Sequence, residues 1–308
     1  MVTEILIVGI GAMALLLGGR LAAAGIKVTL LGTWQEGIKA IRESGVRIRT
    51  SSGEVSYPVF VTDDPREINK SLVSLVLVKS WQTERAANQL QELIFPESIV
   101  LSLQNGLGNL EILKDALGEK QTALGVTTYG ATLVEPGVVR PGGEGVITLG
   151  SHPRLGGLKA SFQEAGLSVE ETTDISSLVW SKLVINVGIN PLTALMGVKY
   201  GELLKSIAAR TIMRSAAEEA VSVAIKKGIH LVYENPIEAV EKVAAATAGN
   251  ISSMLQDVNR GAPTEIDSIC GAIVQEGKQV NVPTPVNELL QNLVRSKVDL
   301  SGRKDENS

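Results

Sequence analysis

The chain has a single cysteine, Cys270, which excludes an internal disulfide framework and suits a reducing compartment. Its only two histidines, His152 and His230, lie far apart in sequence and read as surface loop residues, so no metal site is expected. There is no run of basic residues. Lys and Arg number 29 against 33 Asp and Glu, a net charge of −4, which recommends neither nucleic acid nor an anionic membrane as a partner. The start, Met-Val-Thr-Glu, shows no basic segment and no cleavage signal, so secretion is not expected and, with the lone cysteine, a cytoplasmic protein is. Long apolar runs are also missing: Arg20, Lys27 and Lys182 interrupt the longest, and none reaches the ~20 residues that cross a bilayer. Aromatic residues make up only 3%, so the cores must be built from Ala, Val, Leu, Ile and Gly, the material of close-packed α/β and helical layers. A length of 308 residues favours two domains.

Apolar runs at Ile5–Val8, Val28–Leu31, Val55–Val61, Leu72–Val78, Ile99–Leu103 and Leu124–Thr127 predict strands. Helical stretches fall at about 12–24, 82–94 and 108–117, and this alternation predicts a Rossmann-like, doubly wound parallel sheet. Residues 135–150, rich in Gly and Pro, read as a hairpin or as edge strands. From about Ile175 the pattern is helical throughout, over 175–196, 201–228, 235–257, 263–279 and 284–297. The expected class is therefore α/β with a second, all-helical C-terminal domain, divided between 165 and 175 into residues 1–170 and 171–308. The polar tail from Ser301 to Ser308 is expected to fray.

Gly9-Ile10-Gly11-Ala12-Met13-Ala14 follows the first strand and opens the first helix, the form of a dinucleotide-binding loop. Its first Gly permits the turn, its second lets a pyrophosphate reach the backbone, and the small third residue allows close helix–strand packing. Such a match alone is weak; the flanking strand and helix and the second strand at Val28 strengthen it. The second strand ends in Gly32-Thr33-Trp34, with neither the acid that holds the ribose diol of NAD nor the Arg or Lys that grips the 2′-phosphate of NADP. The missing acid leans toward NADP, with NAD as the second option. Thr33 can hydrogen-bond a phosphate, Trp34 can face the adenine, and Lys79 can add positive charge; each also reads as an ordinary loop residue. On that placement, Thr33→Arg should tighten NADPH by about 1–3 kcal/mol.

Lys182, Asn186 and Asn190 recur every four residues inside the apolar stretch Leu178–Leu195, which puts them on one stripe of a helix apolar on its other sides. A solvated face would carry several Glu, Arg and Gln. A buried Lys without partners costs several kcal/mol by order of magnitude, so something must meet it. The stripe reads either as a snorkelling Lys with two Asn serving backbone groups, or as a proton-donating amine beside amides that grip a small polar substrate.

These motifs resemble the ketopantoate reductase (2-dehydropantoate 2-reductase) family across nearly the whole chain. Gly9–Ala14 is similar to its nucleotide loop, Val78-Lys79-Ser80-Trp81-Gln82 to its Lys segment and Gln104-Asn105-Gly106-Leu107-Gly108 to its Asn-Gly turn. Trp180-Ser181-Lys182-Leu183 through Asn186 to Asn190-Pro191-Leu192-Thr193-Ala194 resembles its catalytic helix. Asn250-Ile251-Ser252-Ser253 with Thr264-Glu265-Ile266-Asp267 resembles its substrate signature. The resemblance implies Lys182 as proton donor, Asn186, Asn190 and Ser253 as substrate ligands, Asn105 bridging cofactor and substrate, Ala131 on the cofactor, and Glu265 as an active-site carboxylate that also meets the cofactor. Two positions depart from the pattern: Thr33 stands where some members carry Arg, and Tyr200 where some carry a substrate-binding Asn. Tyr200 is either a replacement phenol or a residue packed on the helix.

Reduction of a 2-keto acid needs a hydride at the carbonyl carbon and a proton at its oxygen. Lys182 can supply the proton, the more readily if burial lowers its pKa, an effect that Glu265 would oppose. The expected function is NADPH-dependent reduction of ketopantoate to pantoate, toward pantothenate and coenzyme A. A reductase of another branched 2-keto acid and a non-catalytic dinucleotide sensor are the alternatives; the pairing of Lys182 with Glu265 speaks against the sensor. A homodimer is left open.

Overall fold

Four consecutive apolar residues, Ile5 to Val8, are at most 1% exposed, as befits a strand covered on both faces, and Gly9 ends the run. The computed structural model describes residues 2–302; of the tail expected to fray, Ser301 and Gly302 are helical and residues 303–308 lie outside the described residues. Two compact units are distinct: Met1–Gln104 with Asn109–Ile175, and Asn105–Gly108 with Ser176–Ser308.

The first unit runs β1 (Glu4–Val8), α1 (Ala12–Ala23), β2 (Lys27–Leu31), α2 (Gln35–Ser44), β3 (Val46–Thr50), β4 (Gly53–Tyr57), β5 (Phe60–Thr62), β6 (Ser71–Val76), α3 (Thr83–Leu93), β7 (Ile94–Ser102) and α4 (Asn109–Leu117). It continues through β8 (Thr122–Thr127), β9 (Ala131–Glu135), β10 (Val138–Pro141), β11 (Ile147–Gly150), α5 (Gly156–Glu164) and β12 (Val169–Thr172). Eight strands form one sheet in the order β12-β11-β8-β7-β6-β1-β2-β5. It is parallel from β8 to β5, while β11 runs antiparallel to β8. Ile5, Ile7, Val28 and Leu30 belong to one buried cluster and Leu6, Val8 and Leu31 to another, so the alternation along each strand feeds both faces.

A second sheet, β4-β3-β10-β9, was not expected. Pro58 splits the apolar run 55–61 into β4 of this sheet and β5 of the first, because proline cannot donate to a ladder. Residues 135–150 divide in the same way: β10 completes a hairpin with β9, and β11 joins the large sheet. Helix α1 packs on strands of both sheets.

The second unit is helical: α6 (Ile175–Met196), α7 (Tyr200–Leu203), α8 (Ile207–Lys226), α9 (Pro236–Ala246), α10 (Ser253–Asn259), a π-helical turn Asp267–Gly271, α11 (Ala272–Val280) and α12 (Pro285–Gly302). Three expected helices are broken, and caps explain two of the breaks. Ser206 accepts the N–H of Ala209 at 3.3 Å and starts α8, while Ser252 accepts that of Leu255 at 2.9 Å and starts α10. In the third, 263–279, the ladder passes from a π-helical turn into α11.

Helix α6 is the core of this unit, with Leu183, Val184, Val187, Ile189 and Leu192 all at most 1% exposed. At Gly188 a Cβ would lie 2.7 Å from Val240 of α9, so the absent side chain permits that approach. In spite of Lys182, the 22 residues of α6 are long and apolar enough to cross a membrane by length and composition, contrary to the sequence expectation. Of its most apolar window 72% is buried within the protein, as in a core helix.

Candidate active site

In the first unit the end of β1 presents the glycine loop. Gly9 has φ of 132°, which side chains rarely adopt, and a Cβ there would lie 3.0 Å from the carbonyl carbon of Leu77. Its N–H donates to Leu31 at 2.7 Å, and that of Leu77 donates to Val8 at 2.9 Å. The loops leaving β1, β2 and β6 therefore sit side by side, and the strand order reverses between β1 and β6, where doubly wound sheets bind ligands.

Gly11 is the N-cap of α1; no side chain caps it, and no atom lies within 4 Å of where its Cβ would be. An uncapped helix start with open space at Gly11 leaves room for a dinucleotide pyrophosphate to approach the first-turn N–H groups. Ala14 is fully buried, and Ile10 is 6% exposed with Gly32 pressed against it, so Ile10 serves the loop through its main chain. Ala12 and Met13 begin α1 and are half-buried against the first core.

Of the other residues expected around this loop, Thr33 and Lys79 lie in the neighbouring loops that leave β2 and β6. Lys79, half-buried, precedes the 3₁₀ turn leading to α3, and Ala131, also half-buried, begins β9. Thr33 is exposed just past β2. Arg85, 52 residues away in the first turn of α3, donates from Nη1 to Thr33 Oγ1 at 3.2 Å. No sequence pattern pointed to Arg85. Trp34, offered as an adenine neighbour, packs over Gly37 and against the first core.

In the second unit the polar stripe of α6 holds Lys182 and Asn186, both half-buried, and Asn190, which is 4% exposed. Burial pulls the Lys182 amine down to about pKa 8, and the nearby Glu265 carboxylate acts in the opposite sense. Glu265 is itself 5% exposed, so it is no surface carboxylate. Asn105 Nδ2 donates to Glu265 Oε2 at 3.5 Å, a long hydrogen bond that joins residues 160 apart. What sets this pair is the turn that follows. Gly106 has φ of 82° and a Cβ there would fall 2.3 Å from the Ser268 carbonyl oxygen, which accepts the Leu107 N–H at 3.0 Å. The Ser268 hydroxyl donates to the Glu265 carbonyl at 3.1 Å. The π-helical turn begins two residues after Glu265, a distortion often found at functional sites.

Ser253 is the first residue of α10 and half-buried. The preceding Ser252, fully buried, caps that helix and accepts a hydrogen bond from Thr193 at 2.7 Å. The Thr193 hydroxyl also lies 2.9 Å from the carbonyl oxygen of Asn190, so Ser253 is anchored to the stripe on α6. The sequence assigns neither Thr193 nor Ser252 a role of its own, although Ser252 before a helical run is an N-cap signal. Tyr200 packs on the second core; burial pushes its phenol up to about pKa 12, and its N–H donates to the Asn250 carbonyl at 3.1 Å. The Cys270 thiol is buried, and burial raises its pKa, so it is not a nucleophile.

A doubly wound unit with a glycine loop, joined to a helical unit in which a half-buried lysine shares a helix stripe with two carboxamides, defines the class: an NAD(P)H-dependent oxidoreductase acting on a CH–OH group. Comparison with known proteins specifies it further. Residues 5–154 match the family described as ketopantoate reductase PanE/ApbA, and residues 174–298 match its C-terminal domain. The chain is 37% identical over 299 residues to the 2-dehydropantoate 2-reductase of Halobacterium salinarum, covering 95% of this chain and 98% of that protein. Among solved structures, the PanE/ApbA family ketopantoate reductase from Ralstonia eutropha superposes with a TM-score of 0.90 at 32% identity, covering 96% of this chain and 98% of that one. A D-mandelate dehydrogenase bound to NADH and anilino(oxo)acetate gives 0.90 at 29%, with the same coverage. The chain belongs to the ketopantoate reductase family.

Proposed function

We propose that this protein reduces 2-dehydropantoate to pantoate with NADPH, that it does so in the cytoplasm, and that Lys182 delivers the proton. The observation that carries this reading is the half-buried Lys182 on one stripe of α6 with Asn186 and Asn190, near the buried Glu265, in a chain of this family; burial lowers its pKa to about 8. A nicotinamide dinucleotide, its pyrophosphate held by the glycine loop Gly9–Ala14, would supply the hydride. Lys182 gives its proton to the carbonyl oxygen as that oxygen gains charge, and the neutral amine then takes a proton from water. Asn186 and Asn190 hold the substrate hydroxyl and carbonyl, and Ser253, at the start of α10, receives the carboxylate. Glu265 keeps Lys182 charged in the resting enzyme and orients Asn105 toward cofactor and substrate.

The test is NADPH oxidation by the purified chain against a panel of 2-keto acids. 2-Dehydropantoate should be the best substrate by kcat/KM. A second reading, reduction of another branched or aryl 2-keto acid, is favoured by Tyr200 in place of the Asn of some relatives and by the likeness to D-mandelate dehydrogenase. It predicts that a bulkier 2-keto acid outperforms 2-dehydropantoate in the same assay.

A further inference from the structure

We propose that Arg85 is the residue through which this chain distinguishes NADPH from NADH. The inference rests on the reading that a nicotinamide dinucleotide binds on the loop Gly9–Ala14. In that binding mode the adenosine ribose lies at the end of the second strand, where an acid selects the free diol and a cation selects the 2′-phosphate. Here the strand ends in Gly32-Thr33-Trp34, without either. The fold brings the missing charge from another element. Arg85 Nη1 reaches Thr33 Oγ1 at 3.2 Å, and the Gly9 N–H bonded to Leu31 at 2.7 Å fixes the glycine loop beside this same strand end.

Three features of Arg85 point to an anion rather than to a structural role. It sits in the first turn of α3, where the helix macrodipole disfavours a cation and favours a bound anion. It makes no ion pair among the described residues, and its Nε is buried with no acceptor among them. Only one of its donors is used, on the uncharged Thr33, which leaves the planar fork of N–H groups for a phosphate. Thr33, exposed beside it, adds a hydroxyl donor to the same oxygens. Lys79 is placed differently: it follows β6, and β6 and β2 flank β1 on opposite sides.

The experiment measures dissociation constants for NADPH, NADH, 2′-AMP and AMP on the full-length chain and its Arg85→Ala, Arg85→Lys and Gly11→Val variants. Cofactor fluorescence and calorimetry are used at one salt concentration, with thermal melts as the folding control. Arg85→Ala should weaken NADPH and 2′-AMP by about 10- to 100-fold, the scale of a hydrogen bond to a charged group, and change NADH and AMP less than about threefold. Arg85→Lys should retain part of the NADPH preference, and it carries the test if the Ala variant does not fold. An unchanged NADPH to NADH ratio in both folded variants overturns the proposal, as does a wild type that prefers NADH. If wild type binds neither cofactor, or Gly11→Val binds both as wild type does, the glycine-loop reading itself has failed and the Arg85 proposal with it.

Discussion

The hydroxyl of Thr193 on α6 donates to that of Ser252 at 2.7 Å, joining the helix that carries Lys182 to the cap of the helix that opens with Ser253. Both residues are fully buried, so the bond is not exchanged for water. Thr193→Val keeps the volume and removes the donor, leaving a buried hydroxyl short of a partner. The variant should lose about 1–3 kcal/mol in urea unfolding, and KM for the keto acid should rise more than kcat falls, since Ser253 shifts while Lys182 stays. An unchanged KM with lowered stability would make the pair purely structural.

Lys182 must be protonated to act as the acid, and burial lowers its pKa to about 8 against the opposing pull of Glu265. Hence kcat/KM for reduction should be level below pH 8 and fall about tenfold per unit above it. Glu265 raises this pKa, so Glu265→Gln should move the break to lower pH. Lys182→Ala should lower kcat by about 10²–10⁴ while the dinucleotide still binds, read by cofactor fluorescence. An alanine variant that keeps most of its turnover removes Lys182 from the mechanism.

The two glycines of the loop should fail in different ways. A side chain at Gly11 meets nothing within 4 Å, so Gly11→Val should fold and melt as wild type while losing dinucleotide binding. At Gly9 the φ of 132° and the Leu77 backbone at 3.0 Å oppose any Cβ, so Gly9→Val should lose stability by about 1–3 kcal/mol or more. Equal melting temperatures for the two variants would contradict the geometry.

The structure changes the expectation for Thr33→Arg. From sequence alone a guanidinium there gains a full phosphate contact, but Arg85 already lies 3.2 Å from Thr33 Oγ1. Two guanidinium groups at one position repel each other. The tightening of NADPH should therefore stay below about 1 kcal/mol instead of reaching the ~1–3 kcal/mol of an unaided charged hydrogen bond. Titration of both cofactors decides it, and a gain of tenfold or more would show that Arg85 is turned away from the phosphate.

Local periodicity made much of this protein legible. The continuous apolar run Ile5–Val8 closed by glycine, the G-x-G-x-x-A loop and the four-residue recurrence of Lys182, Asn186 and Asn190 are statements about neighbours within one or two turns of chain, and backbone geometry alone turns them into a buried strand, a phosphate-sized turn and a helix stripe. Helix breaks at Ser206 and Ser252 were written in the sequence as caps, but long apolar helical patterns outweighed single cap residues. For the second sheet the sequence signalled an apolar run at 55–61 and a hairpin or edge strands in 135–150, but nothing that set them apart from the first sheet. Strands β3, β4, β9 and β10 are short and half-exposed, and what pairs them is the surface of α1 beneath them. The same holds for Asn105 with Glu265, Thr193 with Ser252, and Thr33 with Arg85, which stand 160, 59 and 52 residues apart. No residue pattern encodes those distances. They follow from packing over the whole of each unit, which fixes where a polar group ends up and whether burial shifts its charge, so the sequence by itself determined the elements and the tertiary structure decided which side chains meet.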